Sequence, residues 1–157
     1  MIFEIKIWDR SIEVLKNGYQ YLRTTFPFSI LYCSCPIYNS KGDFILKYSL
    51  KTLIVYNKYK IIENNLKERI NIIRKGLYSQ KLQVNNDVYD IKFAFFSHTT
   101  INCCNIYLND KKIATVNKKY WNFPPHKFEV LFNIEEEQKQ FYALIELIIS
   151  LTLFDQI

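Results

Sequence analysis

The last part of the chain is apolar on every side, and this feature restricts the possible folds more than any other. From Phe141 to Phe154 the sequence is broken only by Glu146, Ser150 and Thr152. A helix that is hydrophobic all round is either buried in protein or inserted in a membrane. Fourteen residues rise about 21 Å, short of the ~30 Å hydrocarbon core of a bilayer. The segment therefore predicts a helix enclosed by the rest of the protein. The residues expected to be fully buried are Leu144, Ile145, Ile148 and Leu151.

Before this segment, the sequence consists of short extended runs separated by polar turns. Ile2–Trp8 alternates as a strand does, and so does Phe128–Phe132. Asn39-Ser-Lys-Gly42 and Asn109-Asp110 are turn signals, since Asn, Asp and Gly tolerate the left-handed backbone. Ile12–Lys16 fits either a strand or a helical turn. The other expected strands are Tyr19–Arg23, Phe28–Cys33, Asp43–Ser49, Thr52–Tyr56, Tyr59–Glu63, Lys67–Arg74, Lys81–Val84, Val88–Phe96, Ile101–Leu108 and Lys112–Lys119, with Asn64-Asn65 as a hairpin turn.

One architecture accommodates both the hairpins and the apolar helix. A closed antiparallel β-barrel leaves no strand edge unpaired, and a helix after the last strand can fill its interior. Asn133 followed by Glu136 fits a capping box at the helix start, and Glu135–Glu137 place negative charge at the positive end of the helix dipole. We therefore predict a mainly β fold, and 157 residues suit a single domain over residues 1–157.

The charge is unevenly distributed. The net charge is +6; residues 1–127 hold 20 Lys and Arg against 9 Asp and Glu, whereas residues 128–157 hold one Lys and six acidic residues. A basic body favours anionic partners such as acidic lipid headgroups or an acidic protein face. Nucleic acid is not expected as the partner. A surface that only keeps the protein in solution is an equally open explanation.

Targeting signals are not expected. Glu4, Lys6 and Asp9 interrupt the apolar residues of the N-terminus, unlike a signal peptide, and no apolar stretch is long enough for a transmembrane segment. Without an export signal, the four cysteines should be free thiols in a reducing compartment, which predicts a cytoplasmic location. These cysteines are Cys33, Cys35, Cys103 and Cys104.

The second half of the chain resembles a known family. Ile106–Lys119, the aromatic pair Tyr120-Trp121, Lys127–Phe132, an acidic connector and the helix ending Leu151–Asp155 are similar to the C-terminal half of tubby C-terminal-like domains. This superfamily includes LURP-one-related proteins, phospholipid scramblases and small bacterial single-domain members. The resemblance covers residues 40–155 and implies a barrel of about twelve antiparallel strands around a central hydrophobic C-terminal helix. It also implies phospholipid binding, since tubby domains bind phosphoinositide headgroups.

A candidate ligand-binding site is a group of lysines near the predicted hairpin at 109–110. Lys118 should share a strand face with Ala114 and Val116, and Lys119 the opposite face, so that the lysines at the strand ends lie at a barrel rim. With the adjacent rings they would bind a headgroup or phosphate. Solvated strand ends, with the rings folded over the barrel, are the alternative. The residues of this candidate site are Lys111, Lys112, Lys118, Lys119, Lys127, Tyr120 and Trp121.

Neither a metal site nor an enzyme is expected. The spacings Cys33-x-Cys35 and Cys103-Cys104 are tighter than zinc sites use, because adjacent strand residues face opposite sides. With three glycines the chain has no phosphate-binding or dinucleotide loop, and it has no nucleophile-elbow motif. We predict a non-catalytic binding module without a cofactor that recognises anionic lipid headgroups or phosphates at the inner membrane face. The alternative is a protein-interaction module that regulates or neutralises a partner protein.

Overall fold

The computed structural model describes residues 1–26, 32–52, 57–74, 80–94, 101–120 and 125–154. In this part of the chain it has twelve β-strands followed by one α-helix, which confirms the prediction of a mainly β fold. The strands are β1 (Ile2–Trp8), β2 (Ser11–Lys16), β3 (Tyr19–Thr25), β4 (Tyr32–Asn39), β5 (Phe44–Thr52), β6 (Asn57–Asn64), β7 (Ile70–Arg74), β8 (Gln80–Val84), β9 (Asp87–Phe93), β10 (Asn102–Leu108), β11 (Lys111–Tyr120) and β12 (His126–Phe132). The helix α1 spans Glu137–Phe154.

The strands form one antiparallel sheet that curls into a nearly closed barrel. The order is β6-β5-β4-β3-β2-β1-β12-β11-β10-β9-β8-β7, and the first strand, β1, pairs with the last, β12, with Phe3 opposite Val130. Within the described residues, β6 and β7 are not hydrogen-bonded to each other. The tight hairpin expected at Asn64-Asn65 is therefore wrong, and a longer connection over 65–69 takes its place.

Tight polar turns mark one end of the barrel, which we call the entry end because α1 begins there at Glu137. Asn109 and Asp110 have φ of 49° and 67°, as a two-residue turn between antiparallel strands requires. Asn17 and Gly18 form the corresponding two-residue turn between β2 and β3, with φ of 53° and 80°. We call the opposite end the far end; apart from the turn at 9–10, its connections fall mostly outside the described residues.

The helix lies inside the barrel. Leu144, Ile145, Ile148 and Leu151 are fully buried, as predicted. Strands on different sides of the barrel contact α1. Tyr48 of β5 is hydrogen-bonded to Thr152 (2.6 Å), Gln80 of β8 to Ser150 (3.4 Å), and Tyr89 of β9 lies against Tyr142 with ring centroids 6.2 Å apart. Because strands on several sides of the barrel pack against the helix, it has no side that faces solvent, and this explains why its sequence is apolar all round.

Asn133 does not cap the helix, contrary to the prediction. Its N–H donates to the carbonyl of Ile113 (3.0 Å) and its side-chain amide to that of Lys112 (3.2 Å), so it extends the pairing of β12 with β11. The helix begins at Glu137, and the backbone carbonyl of Glu136 accepts the hydrogen bond from Gln140 N–H (3.1 Å). The acidic residues at the helix start are in the predicted place.

Some strand limits also differ from the predicted ones. Ile12–Lys16 is part of a strand, β2. The two expected strands 43–49 and 52–56 share one strand, β5, over their described residues from 44 to 52, because Phe44–Thr52 pairs continuously with β4 and β6 apart from single irregularities. The expected strands Phe28–Cys33, Thr52–Tyr56 and Val88–Phe96 lie partly outside the described residues.

Candidate functional site

The lysines predicted to form one basic cluster lie at opposite ends of the barrel. Lys111 and Lys112 begin β11 at the entry end, beside the turn at 109–110, and both are exposed. Lys119 and Lys127 lie at the far end, where Lys127 pairs with the last residue of β11. Lys112 and Lys119 are seven residues apart, or about 23 Å along a strand at ~3.3 Å per residue. A single headgroup cannot contact both groups.

Lys118 faces the inside of the barrel. Ala114 and Val116, which share its strand face, are fully buried, and Lys118 lies opposite the buried Phe128. The Nζ atom of Lys118 is itself buried. Strand alternation predicted that Lys118 and Lys119 would face opposite sides, and the packing decides that Lys119 is the outer one. Lys118 is therefore not part of an outer binding surface.

The aromatic part of the predicted site is only partly within the described residues. Tyr120 ends β11 opposite Lys127, although its side chain is outside the described part, and Trp121 lies outside it altogether. The other tryptophan, Trp8 at the end of β1, is 53% exposed at the same end of the barrel. An exposed indole near the predicted lysines is thus present, but it comes from the first strand.

A first pair of lysines forms at the far end between β1 and β12. Lys6 and Lys127 are directly opposite each other, and Trp8 is the next residue on the outer face of β1. Neither lysine forms an ion pair with a described residue. Lys119, close by on β11, is ion-paired with Glu129 at 3.1 Å. Two lysines without an ion pair among the described residues therefore occupy opposed positions next to an exposed ring, and Lys6 is also opposite Glu13 of β2.

A second pair repeats this arrangement on the other side of the barrel. Lys51 of β5 lies opposite Lys58 of β6, and Tyr32 of β4 lies opposite Lys51. Both lysines are exposed and lack an ion pair with any described residue, and Tyr32 is 51% exposed. All three residues are at the strand ends that form the far end. We call the two groups together the far-end rim: Lys6, Lys51, Lys58, Lys127, Trp8 and Tyr32.

The far-end rim combines the chemistry of anion binding with that of an apolar–water boundary. Like charges directly opposite each other on a sheet destabilise it, so each lysine pair gains from an anion placed between its two ammonium groups. Tyr and Trp present an apolar body and a polar edge, which suits a lipid headgroup region. Among the described residues, the acidic ones near this rim are Asp9, Glu13, which lies directly opposite Lys6 on β2, and Glu129, which is paired with Lys119. The four rim lysines outnumber the two acidic side chains that Lys119 does not compensate, so positive charge dominates.

The entry end contains an acidic cleft. A cleft of about 380 Å³ there is lined by Glu68, Asp87, Glu136, Glu137 and Lys139, among others. Two cations beside this cleft are compensated, since Lys16 binds Glu137 at 2.7 Å and Lys139 forms an ion pair with Glu136. The hydrogen bond to Lys16 lowers the pKa of Glu137, and the same bond raises the pKa of Lys16. Exposed lysines also lie at this end, among them Lys111 and Lys112, but within the described strands none of them is directly opposite another lysine.

Several polar groups of the described residues lie inside the barrel. Glu146 is fully buried on α1 and accepts a hydrogen bond from Ser150 (3.4 Å). Burial, followed by the charge of Glu146, raises the pKa of the Tyr59 hydroxyl. No group of three or more His, Cys, Asp or Glu side chains that could hold a metal ion occurs in the described part of the chain.

Comparison of the chain with family models, curated proteins and solved structures gives no match. The described part of the chain contains no helix with the length and apolarity needed to cross a bilayer. The rim residues that sequence reasoning missed are Lys6, Trp8, Tyr32, Lys51 and Lys58. For Lys6 and Trp8 there was a signal, because Ile2–Trp8 alternates and puts both on the polar face. Their proximity to Lys127 depends on the pairing of the first strand with the last.

Proposed function

We propose that this chain is a non-catalytic module that binds anionic lipid headgroups on a membrane surface through the far-end rim. The observation that carries the proposal is the repeated arrangement of two opposed lysines beside an exposed aromatic ring, found twice at one end of the barrel. The cytoplasmic face of a membrane is the surface we propose, because anionic lipids are concentrated there. We also propose membership of the tubby C-terminal-like superfamily, which the twelve-stranded barrel and its central helix support.

The geometry of the rim suits a flat, negatively charged surface. The two lysine pairs lie at the same end but on different strand pairs, β1–β12 and β5–β6. Each lysine near an anionic membrane contributes about 1 kcal/mol, so four together supply up to ~4 kcal/mol. Because every 1.4 kcal/mol is tenfold in affinity, this corresponds to a change of up to roughly a thousandfold. Trp8 and Tyr32 would add contacts with the interfacial region.

The test is vesicle flotation of the full chain. Phosphatidylcholine vesicles are compared with vesicles that also contain phosphatidylserine, at about 0.1 M and 1 M salt, since the screening length falls from about 10 Å to 3 Å. We expect flotation only with the anionic vesicles and at low salt. Replacing the four rim lysines with glutamine should abolish it; these substitutions are Lys6→Gln, Lys51→Gln, Lys58→Gln and Lys127→Gln.

The chain offers a matched control at the entry end. Lys41, Lys67, Lys111 and Lys112 are all exposed, so changing all four to glutamine removes the same net charge from the opposite surface. This control should float like the parent. Equal loss in both variants would show that only total charge matters, and the rim would have no special role. If the parent floats on neither vesicle type, the lipid proposal fails, and a partner protein, sought by co-purification, becomes the better explanation.

A further inference from the structure

The acidic cleft at the entry end brings together carboxylates from separate parts of the chain. Its volume is about 380 Å³, within the range of roughly 300–1,000 Å³ that small-molecule sites occupy. Glu68 comes from the connection between β6 and β7, Asp87 from the start of β9, and two further glutamates from the start of α1. Carboxylates that share one site repel each other unless cations compensate them.

The two glutamates at the start of α1 are compensated. Glu137 binds Lys16 at 2.7 Å, and Glu136 forms an ion pair with Lys139. Both also lie near the positive end of the helix dipole, which favours negative charge there. The helix therefore accounts for these two residues. Since Lys139 lines the cleft, its ion pair also shows that the cleft wall can hold an ammonium group.

Glu68 and Asp87 have no such compensation. Neither carboxylate forms an ion pair with a described residue, and each accepts a hydrogen bond from a neutral amide instead. The side-chain amide of Gln138 donates to Glu68 (2.7 Å), and that of Asn109 donates to Asp87 (2.9 Å). The helix dipole supplies only about half a positive charge. The two remaining carboxylates therefore leave the cleft with a net charge of roughly −1.5.

Hydrogen bonds between the loops hold these two carboxylates in place. Asn85, in the turn between β8 and β9, donates its N–H to the carbonyl of Arg69 (2.9 Å), and its side-chain oxygen accepts from the N–H of Arg69 (3.1 Å). Arg69 directly follows Glu68, and Asn85 lies two residues before Asp87. The two acidic walls are therefore fixed relative to each other, and a site that is ordered before binding loses less entropy when a ligand enters.

Tyr89 provides an independent indication of a ligand. Its side chain is 1% exposed and lines the cleft beside Tyr142, with ring centroids 6.2 Å apart. Its hydroxyl has no hydrogen-bond partner among the described residues. Burial, followed by the charges of Asp87 and Glu136, raises the pKa of Tyr89, so the hydroxyl stays protonated at neutral pH. Buried polar groups normally have a hydrogen-bond partner, and a molecule bound in the cleft would supply this one.

We propose that the cleft binds a small organic dication, a molecule with two ammonium or guanidinium groups joined by a short apolar chain. Glu68 and Asp87 each bind one charged group, and the Tyr89 hydroxyl accepts a hydrogen bond from one of these groups. The rings of Tyr89 and Tyr142 attract cations and give the apolar chain a surface to pack on. In the described part of the chain these carboxylates do not form a group of three or more that could hold a metal ion, so a larger cation suits the cleft better.

The test is isothermal titration calorimetry of the full chain with 1,4-diaminobutane and its longer homologue 1,6-diaminohexane. At neutral pH and low salt both amines of each probe are charged, as the Lys side chain is. We expect one diamine to bind per chain. The comparison probe n-butylamine has a single charge and should bind at least about tenfold more weakly, because one charge-assisted contact is lost.

Two variants connect the binding to the cleft. The double variant Glu68→Gln, Asp87→Asn should bind the diamine at least about tenfold more weakly. Its matched control, Glu4→Gln, Glu63→Gln, removes the same charge from two exposed positions outside the cleft and should bind nearly as tightly as the parent.

The variant Tyr89→Phe separates binding from folding. Because the hydroxyl has no partner among the described residues, its removal should not lower the free energy of unfolding in urea. It should, however, weaken diamine binding about two- to tenfold, as the loss of one hydrogen bond does. A hydroxyl that serves only the fold would give the reverse pattern, a loss of stability with unchanged binding.

Three results would overturn the proposal. The first is that neither diamine binds more tightly than about 1 mM. The second is equal weakening in the cleft variant and its control, which would show that only total charge matters. The third is magnesium chloride binding as tightly as the diamine, which would show a general cation site. The titration contains no lipid and the rim lysines do not line the cleft, so the cleft and the lipid-binding rim are tested independently.

Discussion

Ile148→Ala is the most direct test of the helix-filled barrel. Ile148 is fully buried on α1, and the substitution removes three carbon atoms from the core. At about 0.8 kcal/mol per buried methylene, the loss of apolar burial alone is about 2.4 kcal/mol. A cavity adds to this, and Ile-to-Ala changes in cores cost about 2–5 kcal/mol depending on how far the surroundings collapse. Strands linked by hydrogen bonds surround the helix and restrict collapse, so we expect the upper part, about 3–5 kcal/mol.

The matched control is the same change on the outside of the barrel. Ile62 on β6 is 47% exposed, so Ile62→Ala leaves no closed cavity and should cost less than about 1 kcal/mol. The assay is urea unfolding followed by circular dichroism, with the free energy taken from the midpoint and slope. Thermal midpoints should fall by roughly 6–20 °C for Ile148→Ala, at about 2–4 °C per kcal/mol. If the two variants differed by less than about 0.5 kcal/mol, the enclosed helix would be refuted.

Two further predictions concern hydrogen bonds to α1. The hydroxyl of Thr152 donates to the carbonyl of Ile148 (2.8 Å), so Tyr48 must be the donor in its 2.6 Å hydrogen bond to Thr152. Tyr48→Phe should therefore lower the free energy of unfolding by about 0.5–1.5 kcal/mol, measured in urea with an unchanged slope. No measurable loss would show that this bond adds no net stability. The hydrogen bond from the hydroxyl of Tyr142 lowers the pKa of Glu68, so the folded state should lose stability as the pH falls through that lowered pKa. Glu68→Gln should therefore flatten the dependence of the melting temperature on pH between about 5 and 3. An unchanged pH profile in Glu68→Gln would contradict the assignment.

The position of the helix follows from the sequence because its evidence is local. Every side of the segment from Phe141 to Phe154 is apolar, and no arrangement of the remaining chain makes such a helix stable at a surface. The turn at Asn109-Asp110 was likewise predictable, since these residues adopt the left-handed conformation with little strain. The turn at Asp9-Arg10 was not, although both residues have positive φ, because Arg is not a residue type that signals this conformation.

What only the tertiary structure decides is which side of a strand faces inward and which strands are neighbours. Strand alternation separated Lys118 from Lys119, but the packing of Val116 against the core chose which lysine is buried. Lys6 and Lys127 are 121 positions apart in sequence, and they are opposed only because the first strand pairs with the last. At a bulge in β10, the side chains of the adjacent residues Cys103 and Cys104 are both buried in the core. Register and bulges depend on hydrogen bonds between strands distant in sequence, whereas the apolarity of a helix is a property of its own residues.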